Sequence, residues 1–309
     1  MSKLSYAIIG AGALGAYYGA RLAHAGAEVH FLCRRDFNHV QKNGLRIESM
    51  HGGFSLPAVH AYRKPSDLPR CDVAIIGLKT VHNDQLPALL PWAVKDTGVA
   101  MVLQNGLSPE RAAANLVGED RVIGGLCFLC SNRIGPGHIR QTRFDHVKIG
   151  PLGRHAMTDH LTQIASDFEK ASIQIQVTDD LALARWQKLV WNVPYNGLAA
   201  VRQIDTEQLM SDPQTLALVT ELMHEVAAAA RAVGGHVIEK SFIEKMLDNT
   251  RRMGPYKPSM QIDRQAGRVM EVEAIHGDPV RAAQAVGGHV PQMHRLYEQL
   301  HAINQQLTP

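Results

Sequence analysis

The stretch "YAIIGAGALGAYYGARLAHAGAEVHFLCRR", residues 6–35, limits the possible folds more than any other part of the chain. "YAIIG" is a short apolar run of strand type. "GAGALG" sets Gly10, Gly12 and Gly15 in a G-x-G-x-x-G pattern. "ALGAYYGARLAHAG" has helical character and closes at Gly26, and "AEVHFLCRR" reads as a second strand. Within strand, turn, helix and strand, each glycine has a physical task. Gly10 permits the tight turn, Gly12 lets a pyrophosphate approach the backbone, and Gly15 lets the helix pack on the sheet. The phosphates would rest on the helix N-terminus, where N–H groups without helical partners and the dipole favour anions. Gly10, Ala11, Gly12, Ala13, Leu14 and Gly15 are therefore expected to cradle a dinucleotide. A purely structural glycine turn is the plainer alternative.

The end of the second strand bears on which dinucleotide. An NAD site usually has Asp or Glu there, about 20 residues past the glycines, to bind the ribose 2′-hydroxyl. This chain has Cys33, Arg34 and Arg35. A guanidinium suits a 2′-phosphate and pairs with it bidentately, so NADP (as NADPH) is expected. Two solvated arginines are the alternative, and Asp36 keeps NAD open.

The alternation continues with "CDVAIIGLKT", ending at Lys79, and "GVAMVLQNG", ending at Gln104-Asn105-Gly106. "SPERAAANL" predicts a helix with Ser108 as N-cap and Pro109 in its first turn. Shorter strand patterns at "RVIGGLCFLC", "GHIRQTRF", "HVKIGP" and "IQIQVT" extend the sheet to about residue 178. Ligands of open parallel sheets bind beyond the carboxyl ends of the strands, where the glycine turn, Arg34, Lys79 and Asn105 all fall. After "TDD" the strand patterns stop and helical runs such as "DPQTLALVTELMHEVAAAARAVGG" take over. The predicted fold is an α/β Rossmann-type dinucleotide-binding domain over 1–179 and an all-α domain over 180–309, with a small substrate expected in the cleft between them.

The first helix of that second half carries an unusual group. In "RWQKLVWNVPYNGLAAV", Lys188 stands between tryptophans in an apolar run, with Asn192 and Asn196 following at spacings of four. At about 100° per residue the three share a stripe roughly 80° wide. Pro194 should kink the helix. Lys188 either snorkels its amine to water or presents an ammonium in a pocket. In the second case it would stabilise an alkoxide forming from a ketone and then protonate it. Desolvation by Trp186 and Trp191 would lower its pKa towards a useful range. Two further stretches have chemical potential. In "YKPSMQID", Ser259 at a helix start is either a plain N-cap or a carboxylate ligand. In "GRVMEVEAIHGDP", Glu271 and Glu273 would point about 200° apart on a helix, so at most one faces a cleft, unless both are solvated.

The totals exclude several other classes. With 309 residues, 45% apolar and 20% charged, the chain is long enough for two domains with real cores. Net charge is +3 with no basic block, so nucleic acid is not an expected partner. No apolar run is long enough to cross a bilayer, and "MSKLSYAIIGAG" enters a strand pattern at once. The expected location is the cytoplasm, with no membrane partner and with a homodimer left open. Cys33, Cys71, Cys127 and Cys130 form no metal-ligand pattern, and the 16 histidines include no H-E-x-x-H, so no metal is expected.

In order along the chain, "GAGALG", Arg34, "LKT", "QNG", "W-x-K-x-x-x-N-x-x-x-N", "KPSM-x-x-D" and "GR-x-x-E" resemble the ketopantoate reductase (2-dehydropantoate 2-reductase) family over the whole length. The resemblance implies NADPH-dependent reduction of 2-dehydropantoate to (R)-pantoate in pantothenate biosynthesis. It implies Lys188 as proton donor, with Glu271 near it and near the nicotinamide ribose. Asn192, Asn196 and Ser259 would bind substrate. Arg34, Lys79, Asn105 and Ser131 would lie beside the cofactor. The chain departs from the family at Thr206, Tyr256 and His276, where asparagines are usual. These departures suggest an altered substrate shell and a related NAD(P)-dependent 2-hydroxy-acid dehydrogenase for another branched or aromatic 2-oxo acid. A non-catalytic NADP-binding regulator is a third reading, though such a protein needs no proton donor.

Overall fold

The structure, a computed structural model, describes residues 3–153 and 158–307. It divides into two compact units, one of Met1–Gln104 with Pro109–Leu181 and one of Asn105–Ser108 with Ala182–Pro309.

The first unit is built on a ten-stranded mixed sheet. Its strands are β1 (Ser5–Ile9), β2 (Glu28–Leu32), β3 (Leu45–Glu48), β4 (Phe54–Leu56), β5 (His60–Tyr62), β6 (Cys71–Ile76), β7 (Val94–Val102), β8 (Val122–Gly135), β9 (His138–Pro151) and β10 (Gln174–Val177). They run in the order β4-β3-β9-β8-β7-β6-β1-β2-β5, with β10 paired to β9. From β5 to β8 every neighbour is parallel. Residues 6–9 of β1 and 73–76 of β6 are unbroken apolar runs because both faces of the sheet are covered. On one face Tyr6 and Ile8 pack with Tyr17, Tyr18 and Leu22 of α1 (Ala13–His24). On the other, Ala7 and Ile9 pack with the helix Leu86–Ala93. α1 ends as the sequence predicts: Gly26 adopts φ +88°, its N–H reaches Ala23 O, and the Ala27 N–H reaches Leu22 O.

Ile9 aligns with Leu32 on one side and with Ile76 on the other. The turns that leave β1, β2 and β6 therefore emerge together at one edge. Two expectations are corrected here. The patterns "GHIRQTRF" and "HVKIGP" are one strand, β9, whose pairing with β8 skips Phe144 (φ +54°) at a bulge. Ser108 does not cap the helix after β7. It has φ +54°, and the helix begins at Arg111 with Glu110 at the N-cap. The reason is that residues 105–108 belong to the second unit, where the Leu107 N–H donates to Ala274 O at 2.8 Å.

The second unit is helical. Its first long helix, Leu181–Arg202, runs through Pro194 and buries Trp186, Leu189, Val190, Val193, Tyr195 and Leu198 in the unit's core. The helices Thr206–Ser211 and Pro213–Gly234 start at Asp205 and Asp212, whose carboxylates accept the Gln208 and Thr215 N–H groups. Lys240–Met253, Ser259–Gln265, a π-helical turn at Glu273–Gly277, Asp278–Ala285 and Pro291–Asn304 complete it. Arg264 donates to Ala200 O and Val201 O, closing the carbonyl end of Leu181–Arg202.

Candidate functional site

The glycine turn has the shape that a pyrophosphate requires. Gly10 has φ +93°, in the region that favours glycine. A Cβ on Gly15 would stand 2.3 Å from Gly10 O, so only glycine lets α1 start so close to the turn. At Gly12, the N-cap of α1, a Cβ would meet nothing within 4 Å. No side chain caps α1 and no acid sits in its first turn. Ala11, Ala13 and Leu14 are half-buried around it. The arrangement is an open, positively polarised helix end with free space over Gly12, which fits the phosphates of a dinucleotide.

Basic groups stand at the same edge. Arg34 and Arg35 follow β2 and are exposed, and among the described residues neither guanidinium has an acidic partner. Asp36 is held elsewhere, accepting from Arg133 Nη1 at 3.0 Å and from the Gly137 N–H at 3.2 Å. Lys79 starts the turn Thr80–Gln85. This turn is fixed by Gln104, whose Nε2 donates to Leu78 O at 2.9 Å and to Asn83 Oδ1 at 2.6 Å. Gln104, a buried amide at a strand end, and His82 inside the turn were not among the expected site residues. The only local signal for His82 was its spacing of three from Lys79. Ser131 lies on β8, opposite Gln141 of β9.

The second unit assembles another set. Lys188 is half-buried on the helix Leu181–Arg202, and Asn192 and Asn196 on the same stripe are buried, with 6% and 4% exposure. Asn196 Oδ1 accepts from Ser259 Oγ and from the Met260 N–H, both at 3.3 Å. A backbone N–H can only donate, which fixes the orientation of the amide and leaves the Asn196 NH₂ for a ligand oxygen. Ser259 is the first residue of its helix, after Pro258 at the N-cap, so it is not the capping residue. Glu271 is buried just before the π-helical turn, whereas Glu273 is exposed and bonded to Arg281, Tyr297 and His301. The two carboxylates thus have separate environments, although Glu271 precedes the helical turn, so the cause is not their spacing on one helix. Gly106, at φ +105°, packs on the backbone of Ala274, which brings the Asn105 segment beside that of Glu271.

Two of the three departures from the family pattern lie in the interior. Thr206 has no exposed surface. Its Oγ1 donates to Gly254 O at 2.8 Å and accepts the Tyr256 N–H at 3.1 Å. His276 is also buried, and its Nε2 donates to Val193 O at 3.0 Å. Burial pushes its pKa down to about 4, against which the bond to Val193 O acts weakly, so it is neutral at pH 7. Thr206 and His276, expected in a substrate shell, are thus both bonded to backbone groups inside the helical unit. Tyr256 alone is partly exposed, with its ring 6.2 Å from that of Trp191.

A mostly parallel sheet with an open glycine turn and a cationic edge, joined to a helical unit bearing a lysine–asparagine stripe, defines a class: an oxidoreductase dependent on a nicotinamide dinucleotide. Residues 6–154 match the family described as ketopantoate reductase PanE/ApbA, and residues 180–304 match its C-terminal part. A 2-dehydropantoate 2-reductase of Nostoc sp. is 47% identical over 304 residues, spanning 97% of this chain and 95% of that protein. The crystal structure of a 2-dehydropantoate 2-reductase from Geobacter metallireducens superposes with a TM-score of 0.94 at 40% identity, covering 97% of this chain and 99% of that one. One from Methylococcus capsulatus gives 0.88 at 32%, covering 99% and 98%. The chain belongs to the ketopantoate reductase PanE/ApbA family. No helix among the described residues is long and apolar enough to cross a membrane.

Proposed function

We propose that this protein reduces 2-dehydropantoate to (R)-pantoate with NADPH, in pantothenate biosynthesis. The observation that carries the reading is the stripe of Lys188, Asn192 and Asn196 on one helix, with Ser259 tied to Asn196. When bound, the dinucleotide supplies a hydride to the C2 carbonyl carbon. Lys188 holds its ammonium at the keto oxygen, stabilises the charge that develops there, and donates the proton that completes the hydroxyl. Glu271, a buried carboxylate, holds that ammonium in place. The NH₂ groups of Asn192 and Asn196 bind substrate oxygens. Ser259 turns its single hydroxyl proton from Asn196 to the substrate carboxylate.

In the first domain, residues 1–179, Gly10 to Gly15 hold the pyrophosphate, and Lys79 and Ser131 lie along the cofactor. Asn105, which packs with the helical unit, reaches the cofactor beside Glu271. Arg34 takes the 2′-phosphate. NADP is favoured over NAD because Asp36, the candidate for a ribose 2′-hydroxyl, is committed to Arg133 and Gly137. A second reading, a 2-hydroxy-acid dehydrogenase for a bulkier 2-oxo acid, draws support from the half-exposed rings of Trp191 and Tyr256. The deciding experiment measures NADPH oxidation by the purified protein with 2-dehydropantoate and a panel of branched and aromatic 2-oxo acids. The highest kcat/KM with 2-dehydropantoate is expected. A better aromatic substrate would select the second reading, and no turnover with any member would refute both.

A further inference from the structure

His82 stands at the sheet edge that carries the glycine turn and Arg34. The register of β2, β1 and β6 brings residues 33–35, 10–12 and 77–82 off three adjacent parallel strands at the same level. The backbone of Leu78 lies against Gly10, where a Cβ would come within 2.8 Å of Leu78 N. The turn containing His82 is held by Gln104 and by the His82 N–H, which donates to Lys79 O at 2.9 Å. The imidazole is half-buried. Its pKa is held below the ordinary value by this burial and by the charges of Arg34, Lys79 and Arg35, with Asp84 alone acting the other way. Among the described residues, the charges that bear on the imidazole are thus three permanent cations and the carboxylate of Asp84. Such a concentration of one sign is unfavourable by itself and favourable once an anion enters.

We propose that His82 is the titrating member of a 2′-phosphate site formed with Arg34, Arg35 and Lys79: neutral in the free protein, it takes up a proton as the phosphate dianion of NADPH enters. The proposal rests on the NADPH reading given above. It adds that cofactor choice depends on pH, through an identified residue.

The sign follows from linkage. A dianion beside the imidazole favours its protonated form, so the complex with NADPH binds more protons than the free protein in the interval between the two pKa values. NADPH affinity therefore falls as pH rises through that interval and levels off above it. NADH lacks the phosphate and should show no such dependence. A phosphomonoester loses its own second proton near pH 6, which acts in the opposite direction, so the effect should be read from about pH 6.5 to 8.5. One proton changes an affinity by at most about tenfold per pH unit. A fall of roughly 3- to 10-fold over the window is expected.

The test is equilibrium titration of the whole protein with NADPH and with NADH across this window, for wild type and for His82→Gln, which keeps a hydrogen-bond donor but does not titrate. Calorimetry in two buffers of different ionisation heat counts the protons taken up. Falling NADPH affinity in wild type, a flat profile in His82→Gln, and unchanged NADH affinity in both support the proposal. Equal slopes in the two proteins overturn it, because the titration then belongs to another group. A flat wild-type profile with NADPH still preferred also overturns it and leaves the NADPH reading standing. Equal affinity for NADPH and NADH at every pH overturns that reading itself, and the proposal with it.

Discussion

The two units of this chain solve the problem of placing chemistry in different ways. In the sheet unit the key geometry belongs to the backbone: a glycine at φ +93°, a helix that starts without a capping side chain, and space over Gly12. In the helical unit the geometry belongs to side chains, with one stripe on one helix whose Asn196 is held by Ser259 and Met260 and whose backbone at Val193 is held by His276. A backbone site fails when atoms are added, and a side-chain site fails when they are removed. The contrast makes each unit separately breakable, and the expected effects can be ranked.

The largest effect is expected at Lys188. Lys188→Ala should lower kcat by about 10²–10⁴-fold, the range for loss of a general acid, while cofactor affinity stays within a few-fold of wild type. Steady-state kinetics and cofactor titration on the same preparation check both halves. A variant that keeps most of its kcat would remove Lys188 from the mechanism. Glu271→Ala should also slow turnover, with an effect that overlaps that of Lys188→Ala because the two act as a unit.

Next in size are the glycines, where addition is the injury. Gly12→Ala places a methyl where nothing beyond the adjoining backbone lies within 4 Å, so the fold should tolerate it while the pyrophosphate should not. Cofactor affinity is expected to drop by on the order of 10²-fold or more, about 3 kcal/mol, with Tm nearly unchanged. Gly15→Ala should behave differently, because its Cβ would press on Gly10 O at 2.3 Å and disturb the protein itself. Thermal melts alongside cofactor titration separate the two. If Gly12→Ala binds cofactor normally, the turn is only structural.

Arg34→Ala comes third. It should weaken NADPH by roughly 10- to 150-fold, the worth of a charge-assisted contact of about 1.5–3 kcal/mol, and leave NADH nearly untouched. Equal weakening of both cofactors would place Arg34 away from the 2′-phosphate.

The sequence made the two kinds of site legible to different depths. "GAGALG" and the lysine–asparagine stripe are local patterns at fixed spacing, so the turn and the two helices form where those patterns put them. The helix ends at Gly26 and Asp212 were legible for the same reason, since capping chemistry acts within one turn. The short strands β3, β4 and β5 escaped notice, two of them being only three residues long, too short to carry a periodicity. Ser108 was misread as a cap because its segment is drawn to Ala274, far along the chain. The burial of Thr206 and His276 was illegible for the same physical reason. Their partners lie 48 and 83 residues away, and no local pattern reveals a bond over such a separation.

The smallest expected effect comes from Thr206, and it separates packing from recognition inside the helical unit. The Thr206 hydroxyl is fully buried and has two backbone partners, Gly254 O and the Tyr256 N–H. Its main-chain N–H also donates to Tyr256 O at 3.0 Å, so residues 206 and 254–256 form one closed knot. Thr206→Val keeps the shape and removes the hydroxyl. That removes one hydrogen-bond partner each from the part-buried Gly254 carbonyl and Tyr256 N–H, at a cost of about 1–3 kcal/mol. Denaturant unfolding should show this loss as a lower midpoint with an unchanged slope. The ratio of kcat/KM for 2-dehydropantoate over 2-oxoisovalerate should stay within about threefold of wild type, because a residue with no exposed surface has no substrate hydroxyl to select. A recognition role predicts the reverse: little loss of stability and a large change in that ratio. Tyr256→Asn is the complementary variant, since Tyr256 is the one departure of the three that is partly exposed, and any shift in preference should appear there. A Thr206→Val protein of undiminished stability with altered substrate preference would return Thr206 to the substrate shell.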